Sequence, residues 1–219
     1  EQYGVFNIGI TAGIETHAIS RKWVEGCNRM DLVIVPSDHS KAGIVNSVYE
    51  KVKNLPDGST ESMGEIKVNT PVEVIFEGAD LNIYNEIDYK DQKGEIVDLL
   101  DNTVNEDFVF LFVGQWTKGD YGEDRKDIGK LIKIFCETFA NKKKHPALIL
   151  KTSGAGFSIL DKEETLKKIN KVKSNFPDDW KLPNIYLLHG DLSNEEINLL
   201  YNHPKIKAMV SFTHGEGFG

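Results

Sequence analysis

The stretch Phe108-Val109-Phe110-Leu111-Phe112-Val113-Gly114-Gln115-Trp116 decides how this chain folds. Six apolar residues, rich in aromatic and β-branched types, stop at a glycine and read as a strand leaving a core. From about Lys126 to Ala140, Ile128, Leu131, Ile132, Phe135 and Phe139 recur on one helical face, the spacing of a core-facing stripe. A strand over Ala147–Leu150, a helix over Lys162–Ser174 and a strand over Asn184–Leu188 follow. Ser193 then opens a helix, with Glu196 placed to complete a capping box. Ala208–Phe212 is the last expected strand, and a helix near Glu95–Asn102 precedes the first. Strands separated by helices of this length imply crossover connections and a parallel sheet.

Toward the N-terminus the same alternation recurs. Tyr3–Ile10 reads as a strand, Ala18–Cys27 as a helix, and Asp31–Val35, ending at Pro36-Ser37, as a buried strand. Ser37 or Asp38 can cap a helix running to about Val52. The Gly-, Ser- and Pro-bearing stretch Leu55–Val68 reads as a loop, with Asp57-Gly58 a turn, and Pro71–Phe76 as a strand. Polar, irregular residues Glu77–Gln92 read as a linker. The expected fold is therefore α/β, with two doubly wound, Rossmann-like units joined near residue 80.

Composition narrows the function classes. With 219 residues, 40% hydrophobic content and no long apolar run, the sequence reads as a soluble globular protein without a membrane span. The start, Glu1-Gln2-Tyr3-Gly4, lacks the pattern of a signal peptide, and a cytoplasmic location is expected. A net charge of −8, from 34 acidic and 26 basic residues, argues against nucleic acid as a general partner. Lys142-Lys143-Lys144 is expected to complement the dipole of the preceding helix. Cys27 and Cys136 have neither metal-ligand nor redox spacing and read as buried free thiols. No metal cluster, nucleophile elbow, dinucleotide fingerprint or Walker motif is present.

Three strand exits of the second unit carry functional groups. Gly114-Gln115-Trp116 is followed by Asp124-Arg125-Lys126-Asp127 at an expected helix start. Cations there oppose the helix dipole at a cost of about 0.3–1 kcal/mol, which a bound anion would offset. The alternative is a solvated basic pair balanced by Asp124 and Asp127. Lys151-Thr152-Ser153-Gly154-Ala155-Gly156 is either a ligand-facing glycine loop or a plain strand exit. Thr213-His214-Gly215-Glu216-Gly217-Phe218-Gly219 holds one carboxylate among three glycines. A carboxylate there can orient sugar hydroxyls or stabilise positive charge; the alternative is a surface turn. His189-Gly190-Asp191 ends a neighbouring strand, where backbone can hold a base. In the first unit, Glu15, Thr16 and His17 either face a cleft or belong to a helix start.

These residues carry a resemblance. Phe110–Trp116, Arg125-Lys126, Asn184–Gly190 with Leu192-Ser193, and Ser211–Gly219 together resemble the donor domain of retaining GT-B glycosyltransferases of family four. Asn28–Ser37 and Pro71–Asp80 are similar to the end of that family's acceptor-side domain and its interdomain crossing. The resemblance implies residues 1–79 as the C-terminal part of the acceptor-side domain and 80–219 as the nucleotide-sugar donor domain. Both units are truncated against the family pattern. It implies Lys126 on the donor diphosphate with Arg125 beside it, Gly114 and Gln115 lining the donor site, and Glu216 as the catalytic carboxylate at the transferred sugar. The amides of Gly217, Phe218 and Gly219 would meet sugar hydroxyls and phosphate. Where the family often has Arg, this chain has Gln115, and the family's second Glu would fall after Gly219. The implied reaction retains anomeric configuration and needs neither metal nor cofactor. A nucleotide sugar is the donor, and the acceptor is a glycan, lipid or protein. A non-catalytic carbohydrate-binding or assembly module with the same fold, open to homo-oligomer formation, is the competing expectation.

Overall fold

The first unit runs through β1 (Ile8–Ile10), α1 (Arg21–Cys27), β2 (Leu32–Val35), α2 (Asp38–Val45), β3 (Val48–Asn54), β4 (Thr60–Lys67) and β5 (Val72–Val74). The second runs through α3 (Glu95–Thr103), β6 (Val109–Val113), α4 (Ile128–Phe139), β7 (Ala147–Lys151), α5 (Ile159–Lys173), β8 (Ile185–Leu188), α6 (Asn194–Asn202) and β9 (Ile206–Met209). The computed structural model describes residues 4–13, 17–56, 58–117, 122–154 and 156–216. Contacts divide the chain into two compact units, Glu1–Gly78 with Gly215–Gly219, and Ala79–His214.

In the second unit the strand order is β8-β7-β6-β9, all parallel. Numbered within the unit this is 3-2-1-4, the order in which a doubly wound sheet begins. The apolar run of β6 has a physical cause in this placement. Phe110 and Phe112 pack with Leu131, Ile132 and Phe135 of α4 and Ile169 of α5. Val109 and Leu111 pack on the other face, with Ile96, Val97 and Leu100 of α3 and Leu200 of α6. A parallel strand covered on both faces has no polar side to show. Buried Cys136 sits in the first of these cores, and burial pushes its thiol up to about 11. β9 spans Ile206–Met209, earlier than expected, and its pairing with β6 shifts register between Val109 and Phe110. The capping box at Ser193 and Glu196 is present. The lysines at 142–144 lie past α4, whose last turn holds no basic residue.

The first unit holds a parallel sheet ordered β1-β2-β5 and a separate antiparallel pair, β3-β4. Val33 and Val35 of β2 pack with Val24, Cys27 and Ile44. Two expectations are corrected here. The helix expected to reach Val52 stops at Val45, and the stretch expected as a loop contains β4. Ser47 ends the helix: its hydroxyl donates to the Gly43 carbonyl at 2.7 Å and accepts from Ile19 N–H at 2.8 Å. Val48–Asn54 then runs as a strand and pairs with Thr60–Lys67, its register shifting between Glu50 and Val52. The fold is thus mixed α/β rather than purely parallel. Ser37, not Asp38, caps α2, its hydroxyl accepting from Ser40 N–H. No helix among the described residues is long and apolar enough to cross a membrane.

Candidate functional site

The strand order defines where a ligand can enter the second unit. From β6 the chain steps outward to β7 and β8, then returns to place β9 on the other side of β6. In such a sheet the carboxyl ends of β6 and β9, where the strand order reverses, are where a ligand is taken. A cleft of about 220 Å³ lies beyond the end of β6, lined by Gln115, Thr117, Asp124, Arg125 and Lys126. Arg125 and Gln115 are exposed, and Lys126 is half-buried. A Cβ at Gly114 would sit 3.0 Å from the Phe112 ring and 3.6 Å from Lys126 Cε. The Phe112 ring is the tight neighbour, and the lysine stem would be in ordinary contact.

The turn before α4 differs from the sequence expectation. α4 begins at Ile128, so Arg125 and Lys126 precede the helix rather than open it. Asp124 is 5% exposed and serves the backbone: Oδ1 accepts from Lys126 N–H at 3.2 Å and Oδ2 from Ile128 N–H at 3.0 Å. Its charge answers the positive end of α4, which removes the electrostatic misfit. Asp127, at the N-cap position, makes no cap hydrogen bond. Its backbone is left-handed, φ 51° and ψ 36°, and its carboxylate instead meets His214 Nε2 at 2.7 Å and Lys130 Nζ at 3.8 Å. The His214 N–H donates to the Arg125 carbonyl at 3.0 Å. The loop leaving β9 is thus bonded twice to the turn that carries the cations.

The exits of β7 and β8 are closed by packing. Thr152 and Ser153 are 2% and 3% exposed, and Trp116 N–H donates to the Ser153 carbonyl at 2.7 Å. Asp161 accepts from Gly154 N–H at 3.0 Å and meets His189 Nε2 at 2.7 Å. A Cβ at Gly154 would lie 2.4 Å from Asp161 Oδ1. This stretch is a packed strand exit. Lys151 donates to the Gly190 carbonyl at 2.6 Å and lies over the Phe157 ring, and burial lowers its ammonium pKa. Trp116 is buried in the core, where Lys168 lies over its ring, so it serves packing rather than the cleft.

Glu216 is exposed and falls with the first unit. Gly217, Phe218 and Gly219, like Glu15 and Thr16, lie outside the described residues. His17 is exposed, its ring 6.0 Å from that of His39. Larger hollows occur elsewhere: about 520 Å³ beside Phe108, Phe110 and Phe139, and about 410 Å³ between β1 and α1. The first is lined by Glu106, Asp107 and Lys144 among others, and the second by Lys22 and Arg29 with Ile10 and Thr11 at the end of β1. No group of three or more His, Cys, Asp or Glu side chains able to hold a metal occurs among the described residues. Sequence reasoning missed two pairs, Asp127 with His214 and Asp161 with His189. Their members lie 87 and 28 residues apart, so no local spacing links them. Only the strand order brings them together. Comparison of the sequence with protein-family models and with curated proteins finds no match.

Proposed function

We propose that the chain is part of a retaining, metal-independent glycosyltransferase of GT-B type that takes a nucleotide-sugar donor. The observation that carries this reading is the cleft at the exit of β6, where Arg125 and Lys126 stand beside an aspartate that accepts from backbone amides. Charge develops on the diphosphate as the sugar leaves it. Preorganised cations at that position stabilise the transition state more than the ground state. In this reading Lys126 and Arg125 hold the diphosphate, with Gly114 and Gln115 forming the floor. Glu216 contacts the transferred sugar, and the amides of Gly217, Phe218 and Gly219 meet its hydroxyls and the phosphate. Residues 80–219 are the donor-binding domain, and 1–79 the end of the acceptor-side domain. The acceptor is a glycan, lipid or protein, and the reaction belongs to the cytoplasm.

The test is thermal unfolding with UDP-, GDP-, ADP- and TDP-sugars. A donor at 100 times its dissociation constant stabilises by about 2.7 kcal/mol, a rise of several degrees at this size. One nucleotide class should raise Tm, and Lys126→Ala should abolish the rise. No rise with any donor in a folded sample overturns the reading.

A second reading, a non-catalytic assembly module, is favoured by one observation. The edge strand β1 and the residues before it expose Val5, Phe6, Ile8 and Ile10. Exposed apolar groups on a strand edge invite pairing with another chain. A stable oligomer with no nucleotide response would select it.

A further inference from the structure

We propose that Asp127 and His214 form a latch that holds the loop leaving β9 against the cationic turn, making both positioning residues for the cleft. The inference rests on the diphosphate reading of that cleft. The backbone outlier comes first: a non-glycine residue at φ 51° is uncommon, and such strain persists where the surroundings hold it in place. Asp127 occupies an N-cap position, where an aspartate normally accepts a helix N–H. Here Asp124 does that work, and the Asp127 carboxylate is turned to His214. The carboxylate side chain is 6% exposed, whereas the imidazole is 60% exposed. A buried carboxylate must be paired or hydrogen-bonded. His214 covers it from the solvent side, and Lys130 stands 3.8 Å away. The imidazole bond and the bond from His214 N–H to the Arg125 carbonyl act on one residue. Together they prevent the β9 loop from swinging away from Arg125 and Lys126.

The pairing also fixes the ring. A neutral imidazole facing a carboxylate through Nε2 carries its proton there and leaves Nδ1 as an acceptor. The latch is therefore visible without any ligand.

Four variants of the chain test it: His214→Ala, His214→Gln, Asp127→Gly and Asp127→Asn. Glycine suits the left-handed backbone, so Asp127→Gly removes the carboxylate without adding strain. Three readouts apply: the nitrogen shifts of the His214 ring, amide exchange at His214, and affinity for UDP, GDP, ADP and pyrophosphate. The expected result is a hydrogen-bonded Nε2–H proton, slow to exchange with water, in the parent and lost in Asp127→Gly. Exchange of the amide at position 214, relative to its unstructured rate, should quicken about tenfold in His214→Ala and Asp127→Gly, the effect of losing one charge-assisted bond. Diphosphate affinity should fall by a similar factor and return in His214→Gln, whose amide can donate to Asp127. Asp127→Asn should keep the loop protected, since its amide oxygen still accepts. Unchanged ring shifts and exchange in Asp127→Gly overturn the latch. Quickened exchange with unchanged diphosphate affinity overturns the positioning role. If the parent binds none of the four probes, the diphosphate reading and the positioning role both fail, while exchange still decides whether the loop is latched.

Discussion

Gly114 bears on both stability and the cleft. Its place is set by contact rather than by backbone angle, because the Phe112 ring crowds the space a Cβ would take. Gly114→Ala should therefore destabilise by about 1–3 kcal/mol, as overpacking does, and push the Phe112 ring, which can be felt at the neighbouring cleft. Urea unfolding measures the first effect and the diphosphate titration the second; neither changing would show that the ring yields freely. Asp124 makes a different prediction. Asp124→Ala removes the cap of α4 at a cost of about 0.5–2 kcal/mol, readable in the same unfolding curves. The sequence marked the Arg125-Lys126 pair and its flanking aspartates, but not how the aspartates divide their tasks. Asp124 and Asp127 look alike in sequence, and only the turn geometry assigns one to the helix and the other to a histidine 87 residues away.

At the level of elements, what was legible depended on how far local pattern agreed with packing. β6 was legible because its two buried faces leave an unbroken apolar run. α6 was legible because a capping box is written in four consecutive residues, Ser193 to Glu196. Ser193→Ala should cost about 0.5–2 kcal/mol and fray the first turn of α6, which amide exchange at Glu196 would register. The region 48–67 was not legible as a hairpin. Ile44, Val48 and Val52 recur every four residues, which suits a helix as well as a strand. The strand wins because Ser47 closes α2 and because Tyr49 and Ile66 reach the core only when β3 and β4 pair. A hydroxyl tying Gly43 to Ile19 leaves no periodic trace in the sequence.

Across the molecule, the second unit carries a built-in acid sensitivity. His203 is 2% exposed and lies beside Tyr89, rings 4.9 Å apart, where the segment entering the unit packs on α6. Burial lowers its pKa below the ordinary value of 6.5, and this outweighs the Asp101 carboxylate 3.3 Å away. The ring's other nitrogen, Nδ1, accepts from Lys205 N–H at 3.1 Å. The unfolded chain therefore binds a proton that the folded one resists. Stability from this group is complete above about pH 6.5 and is lost as pH falls toward the folded pKa. Urea midpoints should drop between pH 7 and pH 5 in the parent and drop less in His203→Gln. Equal slopes would show that His203 is not the responsible group.

The hairpin β3-β4 has a practical consequence. Its strands are almost wholly exposed, only Tyr49 and Ile66 join the core, and Gly58 turns at its tip with φ 83°. Chain added at such a tip leaves buried contacts untouched. A short peptide tag or a fluorophore-bearing cysteine placed after Gly58 would report on the first unit while leaving the cleft at the exit of β6 chemically unaltered.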